Sequence, residues 1–249
     1  MTQKKRLDNY IQQTYCYQSL SEAQSIIIQG FIFINDQKKT KPGTLISAHD
    51  TIENRYQRPQ YVSRGGLKLE GAFQTFKLSC QNKHCLDIGL STGGFTDYLI
   101  QQKASHVTGI DVAYGKVDTT IRNHPQTTII ERQNARTFQI PKSTTPITLV
   151  VMDVSFIAVH KILINIIDQL SDQTDYIILI KPQFEGKKEL IPPGGVIKDP
   201  KVITTILKKT TQQLQSIGLT KIKTCKSPIT GNKGNQEYFF WLKKHTNPS

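Results

Sequence analysis

The sequence predicts two domains of different class: a small α+β module followed by an open α/β domain on a mainly parallel, seven-stranded sheet. Three observations lead there. Beyond about residue 60, apolar segments of strand length alternate with segments of helical periodicity. The first of these strands runs into a turn carrying Gly89, Gly93 and Gly94. The last two strand-like segments follow one another with no helix between them, which sets an antiparallel pair at one sheet edge.

The elements follow in chain order. Leu7, Tyr10 and Ile11, then Ala23, Ile26 and Ile27, mark two short helices, the second stopped by Gly30. Alternation over 31–35 predicts a strand, Asn35-Asp36 a turn, and Lys38, Lys39 and Lys41 a basic cluster before a second short strand ending at Ile52. The polar stretch NRYQRPQ (54–60) closes this part, giving a domain over 1–58, a linker at 59–63 and a second domain over 64–249. In the second domain, strands are expected at 84–88, 106–112, 127–131, 146–154 and 176–181, with helices filling the gaps, most clearly 95–103 and 159–170. A Gly-, Pro- and Lys-rich loop spans 184–200. A helix (202–217) and the strands 221–225 and 237–243 complete the chain, and the lone Trp241 is expected in the core.

The segment LDIGLSTGGFTDYL (86–99) is a strand, a glycine turn and a helix, the opening unit of a sheet that binds a nucleotide-like ligand. Glycines let the backbone approach a ligand, and the first N–H groups of the helix offer donors to a carboxylate. The next strand ends in Asp111, placed to accept ribose hydroxyls. Asp153 closes the fourth strand and Lys181 the fifth, each after an apolar run, where carboxyl ends of strands border the ligand crevice. Lys68 lies early in the helix after the linker, and Glu237 begins the last strand. A lysine flanked by carboxylates and shielded from water can serve as a base. The plainer alternative, a strand-end Lys–Asp salt bridge without a role, stays open at this point.

Composition narrows the partners. Thirty-two basic residues stand against 19 acidic ones, a formal charge of +13, which favours a polyanionic partner. No stretch of about 18 uncharged apolar residues occurs to span a membrane. The opening MTQKKRLDNY lacks the apolar run of a secretory leader. Cys16, Cys80, Cys85 and Cys225 have no metal or redox spacing, so no metal is expected and a reducing cytoplasm is.

The paired closing strands are those of Rossmann-like, seven-stranded adenosylmethionine-dependent methyltransferases. The segments YVSRGGLKLEGAF, LDIGLSTGGFTDYL, ERQNAR, MDVSFIAV, LIKPQFEGKKEL, PPGGVIKDP and SPITGNKGNQEYFFWL, in this order, resemble the hemolysin A/TlyA family. That family comprises FtsJ-like ribosomal RNA 2′-O-methyltransferases with an N-terminal S4 RNA-binding domain. The resemblance implies a catalytic set Lys68, Asp153, Lys181 and Glu237; Lys181 is the candidate base for a ribose hydroxyl if it is neutral, and otherwise positions that hydroxyl electrostatically. It implies S-adenosylmethionine held by Asp87, Gly89, Ser91, Thr92, Gly93, Gly94, Phe95, Asp111, Asn134 and Asp153. Arg6-Leu7-Asp8, Gly30, Asn35 and Lys41-Pro42 match the S4 pattern, whereas Leu20 stands where the family commonly has a basic residue. Arg6, Lys38, Lys39, Lys41 and Arg64 are the expected RNA contacts, with ribosomal RNA or ribosomal subunits as partner and a monomer by default. Phe156 and Phe184, which follow the two strand-end residues, are candidates for the pocket wall, with core packing the better reading for at least one, and Lys187 and Lys188 for a loop over the substrate or simply a solvated one. Two other readings stay open on the sequence: a contact cytolysin, after the family's name, and a non-catalytic RNA-binding assembly factor.

Overall fold

The computed structural model describes residues 4–17, 19–141 and 145–245, which divide into two compact units, Met1–Pro59 and Gln60–Ser249. In the first, helices α1 (Leu7–Thr14) and α2 (Leu20–Ile28) bury Leu7, Ile11, Ala23, Ile26 and Ile27 against Ile32, Ile34 and Ile46. Ser19 caps α2 by accepting the Glu22 N–H at 3.1 Å. Strands β1 (Lys5–Arg6) and β4 (Leu45–Ile46) pair antiparallel, as do β2 (Ile32–Ile34) with β3 (Gln37–Lys39) and with β5 (Ile52–Asn54). The lysine cluster is therefore partly a strand. Asn35 and Asp36, with φ of 49° and 62°, make the tight left-handed turn that brings Lys38 and Lys39 back along β2, although Gln-Lys-Lys has no apolar alternation.

The second unit begins before the expected linker ends. Tyr61 is buried against Tyr98, the Val62 N–H donates to Asp97 at 2.7 Å, and Ser63 caps helix α3 (Arg64–Phe76). Its strands are β6 (His84–Ile88), β7 (His106–Ile110), β8 (Thr127–Ile130), β9 (Ile147–Met152), β10 (Asp175–Ile180), β11 (Leu219–Lys226) and β12 (Tyr238–Lys244). Among the described residues they form one seven-stranded sheet in the order β11-β12-β10-β9-β6-β7-β8. The five strands β6–β10 run parallel and β12 runs antiparallel between β10 and β11, so the last strand is inserted beside the edge.

Strict side-chain alternation in the central strands fills two cores. Leu86, Ile88, Val150, Met152, Tyr176 and Ile178 face α6 (His160–Ile166) and α8 (Pro200–Gln215). Cys85, Leu149, Val151, Ile177 and Leu179 face α3 and α4 (Gly94–Gln101). The α6 helix ends earlier than its periodicity suggests, passing into a 3₁₀ turn at Ile167–Gln169. A four-residue helix, α5 (Thr119–Arg122), precedes β8, and no helix joins β8 to β9 among the described residues. The loop expected over 184–200 holds two short turns, the four-residue α7 (Pro182–Glu185), with Pro at a helix start where its missing N–H costs nothing, and a 3₁₀ turn at Lys188–Leu190. Trp241 is half-buried, because its indole N–H reaches Asp175 at the sheet's rim, 2.8 Å away. No helix among the described residues is long and apolar enough to cross a membrane.

Candidate active site

Topology brings four distant residues to one end of the sheet. Asp153 follows β9 and Lys181 follows β10, both at carboxyl ends. Because β12 runs the other way, its first residue Tyr238 pairs with Ile180, and Glu237 enters beside Lys181. The second turn of α3 adds Lys68 from above. All four line a cleft of about 760 Å³.

Within it the Lys68 Nζ donates to Glu237 Oε2 at 2.7 Å and lies 4.0 Å from Asp153 Oδ2. The Lys181 Nζ lies 2.5 Å from Asp153 Oδ1 and donates to the Ser155 hydroxyl at 2.9 Å. The result is a chain of alternating charge, Glu237–Lys68–Asp153–Lys181, whose Coulombic terms are strengthened by shielding from water. The Phe184 ring sits beyond Lys181, its centroid 6.0 Å from Nζ, and Phe156 packs on it at 4.8 Å between centroids. Phe156 is 89% exposed and has φ +65°, a backbone state costly for a bulky side chain.

The glycine turn forms the opposite wall, where Gly89, Ser91, Thr92, Gly94 and Phe95 all line the cleft. Gly89, at φ +85°, lies hard against the Asp153 carbonyl, so any Cβ there collides with backbone. Gly94 opens α4 where a Cβ would stand 3.0 Å from the Gly66 nitrogen, and the amino ends of α3 and α4 converge on the cleft. Two helix amino ends and a glycine-lined wall fit a ligand carrying a carboxylate.

Other expected cofactor residues lie outside the cleft lining. Asp87 is fully buried beneath the turn and accepts the Thr96 hydroxyl at 2.7 Å, so it fixes the start of α4. Burial pushes its carboxyl up to about 7, against the opposing pull of that hydrogen bond. Gly93 is the N-cap of α4. Asp111 stands at the end of β7, accepting the N–H groups of Ser91 and Ala113 at 2.7 Å each. Asn134 is exposed beyond β8, its carboxamide oxygen accepting the Arg136 N–H at 3.0 Å. Arg64 lines the cleft and donates to the Thr230 carbonyl at 2.7 Å, tying α3 to the β11–β12 loop.

The expected RNA contacts of the first unit differ in freedom. The Arg6 guanidinium grips buried Asp8 through two hydrogen bonds of 3.1 and 2.7 Å, holding that carboxyl down at about 2. The Lys38 stem lies across Gly30, and Lys39 donates to Gln37 at 3.0 Å. Lys41 is exposed.

Sequence reasoning missed Ser155, Gln183 and Asn235 in the lining. Each sits one or two residues from a predicted site residue, a spacing that signals the same strand end or loop.

A family model for FtsJ-like methyltransferases matches residues 61–244, the unit that carries this cleft. The chain belongs to the FtsJ-like methyltransferase family. An S4 domain model matches residues 5–52. The 16S/23S rRNA (cytidine-2′-O)-methyltransferase TlyA of Mycobacterium tuberculosis is 34% identical over 99% of this chain and 92% of its own length. Hemolysin A of Brachyspira hyodysenteriae is 39% identical over 94% of this chain and 97% of its own. Among solved structures, a hemolysin from Streptococcus thermophilus superposes with a TM-score of 0.74 at 29% identity, covering 100% of this chain and 91% of that one. The FtsJ-like unit is thus an S-adenosylmethionine-dependent methyltransferase domain, and the glycine wall with its converging helix ends suits that ligand's amino-acid carboxylate.

Proposed function

We infer that this chain is a ribosomal RNA 2′-O-methyltransferase acting on a cytidine ribose, the activity that the name of the similar TlyA of Mycobacterium tuberculosis gives. The observation that carries the reading is the alternating Lys68–Glu237 and Lys181–Asp153 arrangement, facing the glycine wall across one cleft. S-adenosylmethionine, when bound, supplies an electrophilic methyl group. The residues that would hold it are those of the Gly89–Phe95 turn, with Asp111 toward its ribose and Asn134 near the adenine.

A ribose 2′-hydroxyl is a weak nucleophile and must shed its proton as it attacks. Lys181 Nζ takes it when it enters as the neutral amine, and Asp153 at 2.5 Å balances the ammonium that results; as an ammonium from the start, the same group positions the hydroxyl electrostatically. Ser155 orients the same nitrogen from the solvent side. Lys68, anchored by Glu237, holds the other Asp153 oxygen and so keeps that carboxylate turned toward Lys181. The target base is received against the Phe156–Phe184 pair, whose exposed apolar face suits a nucleobase removed from its stack. Arg64, Lys41 and the remaining first-unit cations contact RNA phosphates, in line with the net +13 charge.

The test is transfer of tritiated methyl groups from S-adenosylmethionine to purified 30S and 50S subunits, with Lys181→Ala as control. Label that survives alkali as a 2′-O-methylated dinucleotide is expected from the wild type and not from the variant. No label in either subunit, with the cofactor bound by calorimetry, overturns the ribosomal substrate. No binding overturns the methyl-transfer reading.

A further inference from the structure

The reactive end of the cleft rests on two loops, 153–159 after β9 and 181–186 after β10, that share no backbone-to-backbone hydrogen bond among the described residues. The first carries Asp153, Ser155 and the strained Phe156; the second carries Lys181, Gln183 and Phe184. Three links between them are made by groups at the cleft itself, Lys181 Nζ to Asp153 and to Ser155 and the Phe156–Phe184 contact. Another lies underneath. Glu185, the last residue of α7 and only 4% exposed, accepts the Val159 N–H through Oε1 at 2.9 Å. Val159 is the N-cap of α6, a helix start with no side-chain cap of its own. A buried carboxylate is expensive to hold; this one takes a backbone donor at the point where both loops end, with the Thr210 hydroxyl and the Lys161 and Lys209 charges acting on it from α6 and α8.

We propose that Glu185 is a positioning residue for methyl transfer: by binding the Val159 N–H it fixes the 153–159 loop against the 181–186 turn and so sets the apposition of Asp153 to Lys181. This rests on the function inferred above. A loop free to shift by about an ångström misaligns acid, base and acceptor, and misplacement of that size costs on the order of 10²-fold in rate. The strained φ of Phe156 makes the need concrete, since an unfavourable backbone state relaxes wherever its surroundings do not hold it.

Two substitutions separate this role from simple support of the fold. Glu185→Gln keeps an acceptor oxygen in the same place. Glu185→Leu keeps the volume and removes the buried charge, a change that commonly leaves folding intact, but offers Val159 no acceptor. The expectation is kcat within about twofold of wild type for Gln and lowered about ten- to hundredfold for Leu. KM for RNA and the dissociation constant of S-adenosylmethionine should move less than about threefold in both. Amide hydrogen exchange across 154–159 should quicken at least about tenfold in the Leu variant alone. If Leu fails to fold, Val159→Pro removes the same bond from the donor side, at a residue whose φ of −60° is already that of proline. Equal kcat in the Gln and Leu variants, or unchanged exchange at 154–159, overturns the proposal. A wild type without methyl transfer would overturn the inferred function instead, and the exchange data would still decide the clamp.

Discussion

The two lysine–carboxylate pairs in the cleft use the same chemistry in different surroundings. Lys68 and Glu237 line the cleft with little exposed surface, 11% and 3% of their side chains, and Glu237 is held by one lysine. The Lys181 side chain is equally shielded, at 11% exposed, but it meets a carboxylate that is 21% exposed and a hydroxyl on an exposed loop. The pair whose carboxylate is nearly buried is the poorer partner for proton exchange with a substrate, and its worth lies in holding geometry. The pair whose carboxylate and hydroxyl partner are more open is the better reached by a ribose and can change its proton count. The difference divides the four residues into a scaffold pair and a working pair, with Asp153 shared between them.

The largest expected effect breaks the working pair. Lys181→Ala should lower kcat by about 10³- to 10⁴-fold while leaving S-adenosylmethionine affinity within about twofold, measured by single-turnover methylation and calorimetry. Retained turnover would remove Lys181 from the chemistry. Next, Lys68→Ala strands Glu237 without a partner in the interior and should destabilise the domain by about 3–5 kcal/mol in urea unfolding. The double change Lys68→Met with Glu237→Leu should recover most of that stability and none of the activity. If Lys181→Ala proves as destabilising as Lys68→Ala, the two pairs do not differ as described.

A third prediction concerns pH. Burial raises the Glu185 carboxyl from 4.5 to about 7, so the folded state holds a proton that the unfolded state releases earlier. Its contribution is therefore fully present below about pH 4.5 and is lost as pH rises to about 7. Relative to Glu185→Gln, in which other titrations cancel, the wild type should lose on the order of 3 kcal/mol across that interval. A constant difference between the two proteins would refute the assignment. The smallest effect sharpens the comparison: Ser155→Ala removes one partly exposed hydrogen bond from Lys181 and should reduce kcat about two- to fivefold, without a change in stability.

Much of this site was legible because it lies at points where sequence patterns end. Asp153 and Lys181 are the first polar residues after apolar runs, and the glycine turn follows a strand of five buried residues. Lys68 and Glu237 stand out in the sequence only as polar residues early in a helix and at the start of the last strand, and their shared role comes from the resemblance; their spacing of 169 residues has no local signal, and only the reversed direction of β12 brings them together. Glu185 was hidden because Pro182 and Gly186 bracket a stretch that reads as loop, where a carboxylate is expected in water. Strand β3 was hidden for the opposite reason: its residues are polar and its pairing is imposed by the Asn35-Asp36 turn. The connector at 59–63 was misjudged because Tyr61 gives no periodic cue, yet finds a pocket against Tyr98.

The contact between Gly89 and the Asp153 carbonyl has a consequence for accuracy under thermal motion. The Asp153 N–H is also hydrogen-bonded to the Ile88 carbonyl at 3.0 Å, so the glycine turn and the end of β9 are stitched along one backbone seam. Vibrations of the sheet then displace both walls of the cleft together, as common-mode drift, and the separation between them is the quantity that varies least. A reaction that tolerates little error in the line of three atoms is served by a low relative error, even where the absolute position of each wall wanders.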